Sequence, residues 1–218
     1  SRPYILRENI EHDEFYSLVL FAVAGMSVIA HANNLLITFI GIEIMSVCFY
    51  VLSGYFRTNE RSVESALKYF LLGSFATGFL VFGMSFLYGA TGSLDYVSIK
   101  EHVQTGSLLH PKFLALGTAL LVVGLGFKVA TVPFHQWVPD VYEGSPTVVT
   151  SFMSTAGKAA SLCALLPLAG IIVPHGEHRV QAVFAVLSAA TMLLGNITAV
   201  VQKNIKRMLA YSSIRSEE

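Results

Sequence analysis

The sequence predicts an all-α fold, a polytopic transmembrane helix bundle of about six spanning helices with one broken helix among them. Composition is the first observation behind this. Of 218 residues, 54% are hydrophobic and 13% charged, against about 25% charged in ordinary globular domains, and mean hydropathy is +0.61. The second is length. Six apolar runs, roughly 15–32, 35–56, 64–90, 113–139, 146–173 and 178–202, reach the approximately 20 residues that a helix needs to cross a bilayer. The third is the run GLGFKVATVPFHQW, Gly124 to Trp137, where a lysine and a proline interrupt apolar sequence. Proline deprives the carbonyl four residues earlier, here Val129, of its helical partner. In hydrocarbon such a group must be satisfied by protein or by water in a cavity.

Residues 1–14 form a polar N-terminal segment without the apolar core of a signal peptide. The bundle occupies 15–202, and 203–218 begins a further helix. The turn HANN at 31–34 makes the first two spans a tight hairpin. Residues 91–112 form the one substantial external loop, with an amphipathic middle expected to lie on the membrane surface. With residue 1 cytoplasmic, that side carries Arg2, Arg7, Arg57, Arg61, Lys203, Lys206, Arg207 and Arg215, and the other carries Lys100, Lys112 and Arg179. This excess of basic residues orients the N-terminus inward. The balance of 14 basic and 14 acidic residues argues against nucleic acid as a partner. Cys48 and Cys163 form no metal-ligating or haem-attachment pattern. His31 and His135 fall toward opposite membrane faces, which argues against a bis-histidine haem.

The charged residues inside spans carry the chemistry. Glu43 lies about eight residues from the external end of its span. Membrane-embedded acids mark ion paths or partners, although a protonated, structural glutamate is the plainer alternative. Lys68 lies near the cytoplasmic end of its span, where snorkelling to the headgroups is as good a reading as function. Lys128 and Lys158 lie too deep to snorkel, and each would cost about 2.5–3.5 kcal/mol facing lipid. Burial disfavours the charged form of such a lysine and a nearby carboxylate favours it. A carboxylate at about 4 Å contributes about 4 kcal/mol at an effective dielectric of 20. His135, seven residues after Lys128, would share its face in an unbroken helix, but Pro133 lies between them. Asp140 and Glu143 read as residues of the cytoplasmic mouth, a solvated face by default, that could also cap a helix beginning near Pro146 or attract protons.

The stretch GLGFKVATVPFHQWVPDVYEGSPTVVTSFMSTAGKAA resembles the subunit N (subunit 2) family of the bacterial respiratory NADH:quinone oxidoreductase, complex I. GIEIMSVCFYVLSGY, SVESALKYFLLGSFATGFLVFGMSFLYGATGSLDY and GNITAVVQKNIKRMLAYSSI resemble it too, in the same order. The sister antiporter-like subunits and multisubunit cation/proton antiporters share the PFH-W-PD core, but typically carry histidine where this chain has Lys158. The resemblance implies a proton-translocating membrane-arm subunit in the bacterial inner membrane. Glu43, Lys68, Lys128, Lys158 and His135 would form the proton relay and Pro133 the helix break, with Glu43 tuning Lys68 and Lys128. It implies no cofactor in this subunit, with NADH and quinone reached only through other subunits. The partners it implies are lipid and the neighbouring membrane-arm subunits. It also implies a longer protein of about fourteen crossings in two five-helix repeats of inverted topology. These residues cover the first repeat and one further helix, so a partial chain, inactive by itself, is expected. The alternatives are a cation/proton antiporter subunit and a structural scaffold whose lysines and glutamate only pair helices.

Overall fold

The computed structural model describes residues 2–8, 13–175 and 178–215. Among them every regular element is helical: α1 (Arg2–Arg7), α2 (Asp13–His31), α3 (Leu35–Ser53), α4 (Glu60–Thr91), α5 (Tyr96–Thr105), α6 (Pro111–Val129), α7 (Trp137–Gly144), α8 (Thr147–Phe152), a π turn (Met153–Gly157), α9 (Lys158–His175), α10 (His178–Val201) and α11 (Ile205–Arg215). Among the described residues six stretches are long and apolar enough to cross a membrane: Asp13–His31, Leu35–Ser53, Glu60–Thr91, Pro111–Val129, Thr147–Ile171 and Gln181–Val201.

The short turn between α2 and α3 is shaped by Asn34, whose side chain accepts from the Leu36 backbone N–H at 2.8 Å, a helix N-cap. The two helices close on glycine. A Cβ on Gly25 would lie 2.8 Å from the Gly41 carbonyl oxygen, so the backbones meet without side chains between them. α4 and α6 meet the same way, since a Cβ on Gly117 would lie 2.9 Å from the Gly83 carbonyl.

α4 has 32 residues, so it is about 48 Å long, well beyond the roughly 30 Å of a hydrocarbon core. The surplus sets its first turns, with Arg61, Glu64 and Lys68, at one polar end of the bundle. That end also holds α7 and the start of α11.

At the opposite end, the loop that the sequence placed on the membrane surface is tied to the bundle. Leu35 donates its backbone N–H to Leu94 at 2.9 Å, Tyr96 donates to Asn33 at 3.1 Å, and the Tyr96 and Thr38 hydroxyls meet at 2.8 Å. Tyr96 and Ile99 of α5 are buried, and α5 packs on α9 and α4. The loop's amphipathic face therefore turns inward on protein.

The helix break differs from the expected proline kink. α6 ends at Val129, and Ala130 takes a left-handed conformation, φ 71°. The Ala130 N–H reaches Phe127 O at 3.2 Å and the Thr131 N–H reaches Gly126 O at 2.9 Å, the two bonds of a Schellman cap. The helix thus stops at Val129, four residues before Pro133, and the break runs through Gln136. Val132 N–H is satisfied by the Thr191 hydroxyl of α10 at 3.0 Å. Glycine is the usual occupant of the capping position, and alanine there is disfavoured by about 1–2 kcal/mol. Ala130→Gly is therefore expected to raise stability by about 1 kcal/mol, read as a higher thermal midpoint in detergent. An unchanged or lower midpoint would show that the cap is not strained.

Candidate functional site

Lys128 occupies the last turn of α6 and is 6% exposed. The negative end of the helix dipole favours a cation there. Its ammonium donates to Ser46 Oγ at 2.8 Å and to the Tyr50 hydroxyl at 3.3 Å, and lies 3.9 Å from Glu43 Oε1. Glu43, Ser46 and Tyr50 follow the i, i+3, i+7 spacing of one helical face of α3. Thr77 of α4 donates its hydroxyl to Glu43 Oε1 at 2.8 Å. The Glu43 side chain is 29% exposed. It thus stands at the edge of the bundle, while its lysine partner is enclosed.

An aromatic column supports this pair. The Tyr50 ring meets Tyr69 edge-on at 4.7 Å, Tyr69 stacks on Trp137 at 4.5 Å, and Trp137 stacks on Phe127 at 5.4 Å. Trp137 Nε1 donates to Phe127 O at 3.0 Å, locking the segment after the break onto the helix before it. Gly73 on α4 leaves the space for the Tyr50 hydroxyl, because a Cβ there would lie 2.2 Å from it. The sequence reading passed over Ser46, Tyr50, Thr77 and Gly73. Only the helical spacing from Glu43 signals the first two, and a serine and a tyrosine in an apolar helix look like ordinary packing.

Lys68 is placed elsewhere. It pairs with Glu64 at 2.8 Å and Asp140 at 2.9 Å, with 43% of its side chain exposed. The expected tuning of Lys68 by Glu43 is not what the structure shows, because the carboxylates at its ammonium come from its own helix and from α7. Asp140 and Glu143 lie at the polar mouth as expected, but not as caps. They lie on α7 and bridge helices rather than capping α8, whose N-cap, Pro146, has no side-chain bond. Arg207 of α11 pairs with both Asp140 and Glu143. Burial works against ionisation of Asp140, but the Lys68 hydrogen bond and the Lys68 and Arg207 charges prevail and hold its carboxyl below the ordinary value. These residues line an open pocket of about 300 Å³.

Lys158 is 4% exposed and begins α9 directly after the π turn. Within that turn the Ser154 and Thr155 hydroxyls both return to Ser151 O, at 3.1 and 2.8 Å. A Cβ on Gly157 would lie 2.8 Å from Phe49, so α3 fits closely against the turn. α9 packs on α2, α5 and α6. π turns inside α-helices occur frequently at functional sites, and no residue type announces this one. His135 does not share a face with Lys128. Its ring lies 6.5 Å from that of Tyr211 on α11, whereas Lys128 faces α3. Pro133 is exposed within the break.

Residues 32–216 match the family described as NADH:quinone oxidoreductase/Mrp antiporter, TM. The chain is 48% identical, over 98% of its length, to NADH-quinone oxidoreductase subunit N 1 of Chloroherpeton thalassium, and 45% identical over 98% to subunit N of Salinibacter ruber. It spans 45% and 42% of those two proteins, under half of each. Among solved structures it is similar to a chain of respiratory complex I from Thermus thermophilus, with TM-score 0.79 and 43% identity over 94% of this chain and 43% of that one. It is also similar to a chain of the Mrp complex from Dietzia, with TM-score 0.79 and 27% identity over 91% and 36%.

Proposed function

The chain belongs to the NADH:quinone oxidoreductase/Mrp antiporter membrane family, and on that footing we propose that it is part of a proton-translocating subunit of NADH:quinone oxidoreductase. In this reading the subunit holds no cofactor. It sits in the bacterial inner membrane among the other membrane-arm subunits, with the described N-terminal end facing the cytoplasm. Quinone reduction, and the NADH oxidation that drives it, take place elsewhere in the complex.

The observation that carries the proposal is the buried Lys128 ammonium, 3.9 Å from Glu43 and held by two hydroxyls. At that separation the pair contributes about 4 kcal/mol at an effective dielectric of 20. A carboxylate that approaches favours the charged lysine, and one that withdraws disfavours it. Two arrangements of Glu43 thus become two states of Lys128, loaded and discharged. Lys68 collects protons at the polar mouth, and Lys158 receives them beyond Lys128. The hydroxyls of Ser46, Tyr50 and Thr77 give the ammonium and the carboxylate partners while the two are apart.

Glu43→Gln in the full-length protein, within its assembled complex, tests this reading. Proton translocation per NADH oxidised is expected to fall severalfold at an unchanged amount of complex, and unchanged translocation would overturn the role of the pair. Sodium-dependent transport independent of NADH oxidation would favour the antiporter reading, which rests on the Mrp likeness. The greater identity to the complex I chain, 43% against 27%, supports the oxidoreductase.

A further inference from the structure

Arg207 touches none of the residues proposed to carry protons except through Asp140, and the geometry there is specific. Asp140 is a shared carboxylate. Its Oδ2 accepts from Lys68 at 2.9 Å, and its Oδ1 takes the Arg207 guanidinium. The same guanidinium places Nε 2.7 Å from Glu143 Oε2, so one planar group spans two carboxylates a helical turn apart on α7. Asn204 donates to Glu143 Oε1 at 2.9 Å. Lys206 donates to the carbonyls of Glu143 and Ser145, at 3.3 and 2.9 Å, at the end of α7 where helix carbonyls lack partners. α7 has eight residues, too few to hold a helix alone. Its position is set by what grips it, and Asn204, just before α11, together with Lys206 and Arg207 in its first turn, does so on one side.

We propose that Arg207 is a positioning residue for the relay, acting on Lys68 through the carboxylate that the two cations share. The inference rests on the relay reading given above. With Arg207 in place, Asp140 divides its charge between two cations, which weakens its hold on Lys68. Without it, the Lys68 ammonium faces Glu64 and Asp140 together with no competing cation on Asp140, and α7 keeps only Asn204 and Lys206 to tie it to the start of α11. Arginine suits this place because its fork spans two carboxylates, which a lysine's single ammonium does not.

The test uses the full-length protein in its assembled complex and compares Arg207→Met, Asp140→Asn, their double variant and Lys128→Met. Arg207→Met is expected to lower proton translocation about tenfold, in keeping with the large effects of small misplacements. The double variant is expected to do no worse than Asp140→Asn alone, because Arg207 then has no shared carboxylate through which to act. Normal translocation by Arg207→Met, or losses that multiply in the double variant, would overturn the proposal. If Arg207→Met fails to assemble, Arg207→Lys carries the test. A two- to threefold loss in assembled complex supports the inference, and normal translocation overturns it. Lys128→Met separates the two readings. If it translocates normally, the relay itself is wrong. If it is inactive while Arg207→Met is normal, only the role of Arg207 falls.

Discussion

Lys128→Met in the full-length protein is expected to abolish proton translocation while leaving the bundle nearly as stable as before. Methionine fills similar space in the pocket among Ser46, Tyr50 and α6. The substitution removes a charge whose burial was itself unfavourable, and the carboxylate left behind is 29% exposed, so water can take the place of the ammonium and the usual cost of stranding a buried partner charge is reduced. Against this stand the Ser46 and Tyr50 hydroxyls, which lose a donor, and Glu43, which keeps Thr77 but loses its cation. The net change in stability should stay within about 2 kcal/mol. Translocation has no such compensation, since a thioether takes up no proton. A scaffold role predicts the reverse: poor assembly, with normal translocation in whatever assembles. Dye-quench measurements on reconstituted complex, alongside the thermal midpoint, separate the two.

Gly73→Ala should come next in size, although the residue carries no functional group. The new Cβ would lie 2.2 Å from the Tyr50 hydroxyl oxygen and 2.7 Å from its Cζ. Tyr69 and Phe70 meet its ring edge-on at 4.7 and 5.7 Å, so Tyr50 turns aside only by displacing one of them. Either α3 and α4 part or the hydroxyl leaves Lys128. Overpacking of this kind costs about 1–3 kcal/mol, and the Lys128 site opens in either case. The thermal midpoint should fall and translocation should drop severalfold. Tyr50→Phe, which loses only the 3.3 Å contact, should do far less. Equal effects of the two variants would show that the hydroxyl, and not the spacing of the helices, is what matters.

Hydropathy and length made the spans legible, because both are sums over twenty residues and tolerate local error. Lys128 and Lys158 were legible as buried because no snorkelling path exists from their depth, and both prove almost fully enclosed. The pairing of Glu43 with Lys128 was within reach because each is costly alone. The partners of Lys68 were not, since Asp140 lies 72 residues away in sequence and arrives only when α7 folds back on α4. The site of the break was misread because proline advertises itself and Ala130 does not. Alanine is the strongest helix former, and nothing in its side chain signals a left-handed cap. His135 was read along a helix that had already ended.

The π turn before Lys158 has a consequence for how this protein tolerates change. Such a turn holds one residue more than regular winding needs, and each residue of an α-helix turns its successors by about 100°. Losing a single residue such as Ala156 would leave a smoother, better hydrogen-bonded rod of nearly the same length and hydropathy, able to insert as before. It would also swing everything on one side of the deletion by more than a quarter turn, taking Lys158 out of its present orientation. Local regularity and correct aim are opposed at this point. A variant selected only for helix stability would drift toward the wrong register, and the surplus residue persists only while something downstream depends on where that lysine points.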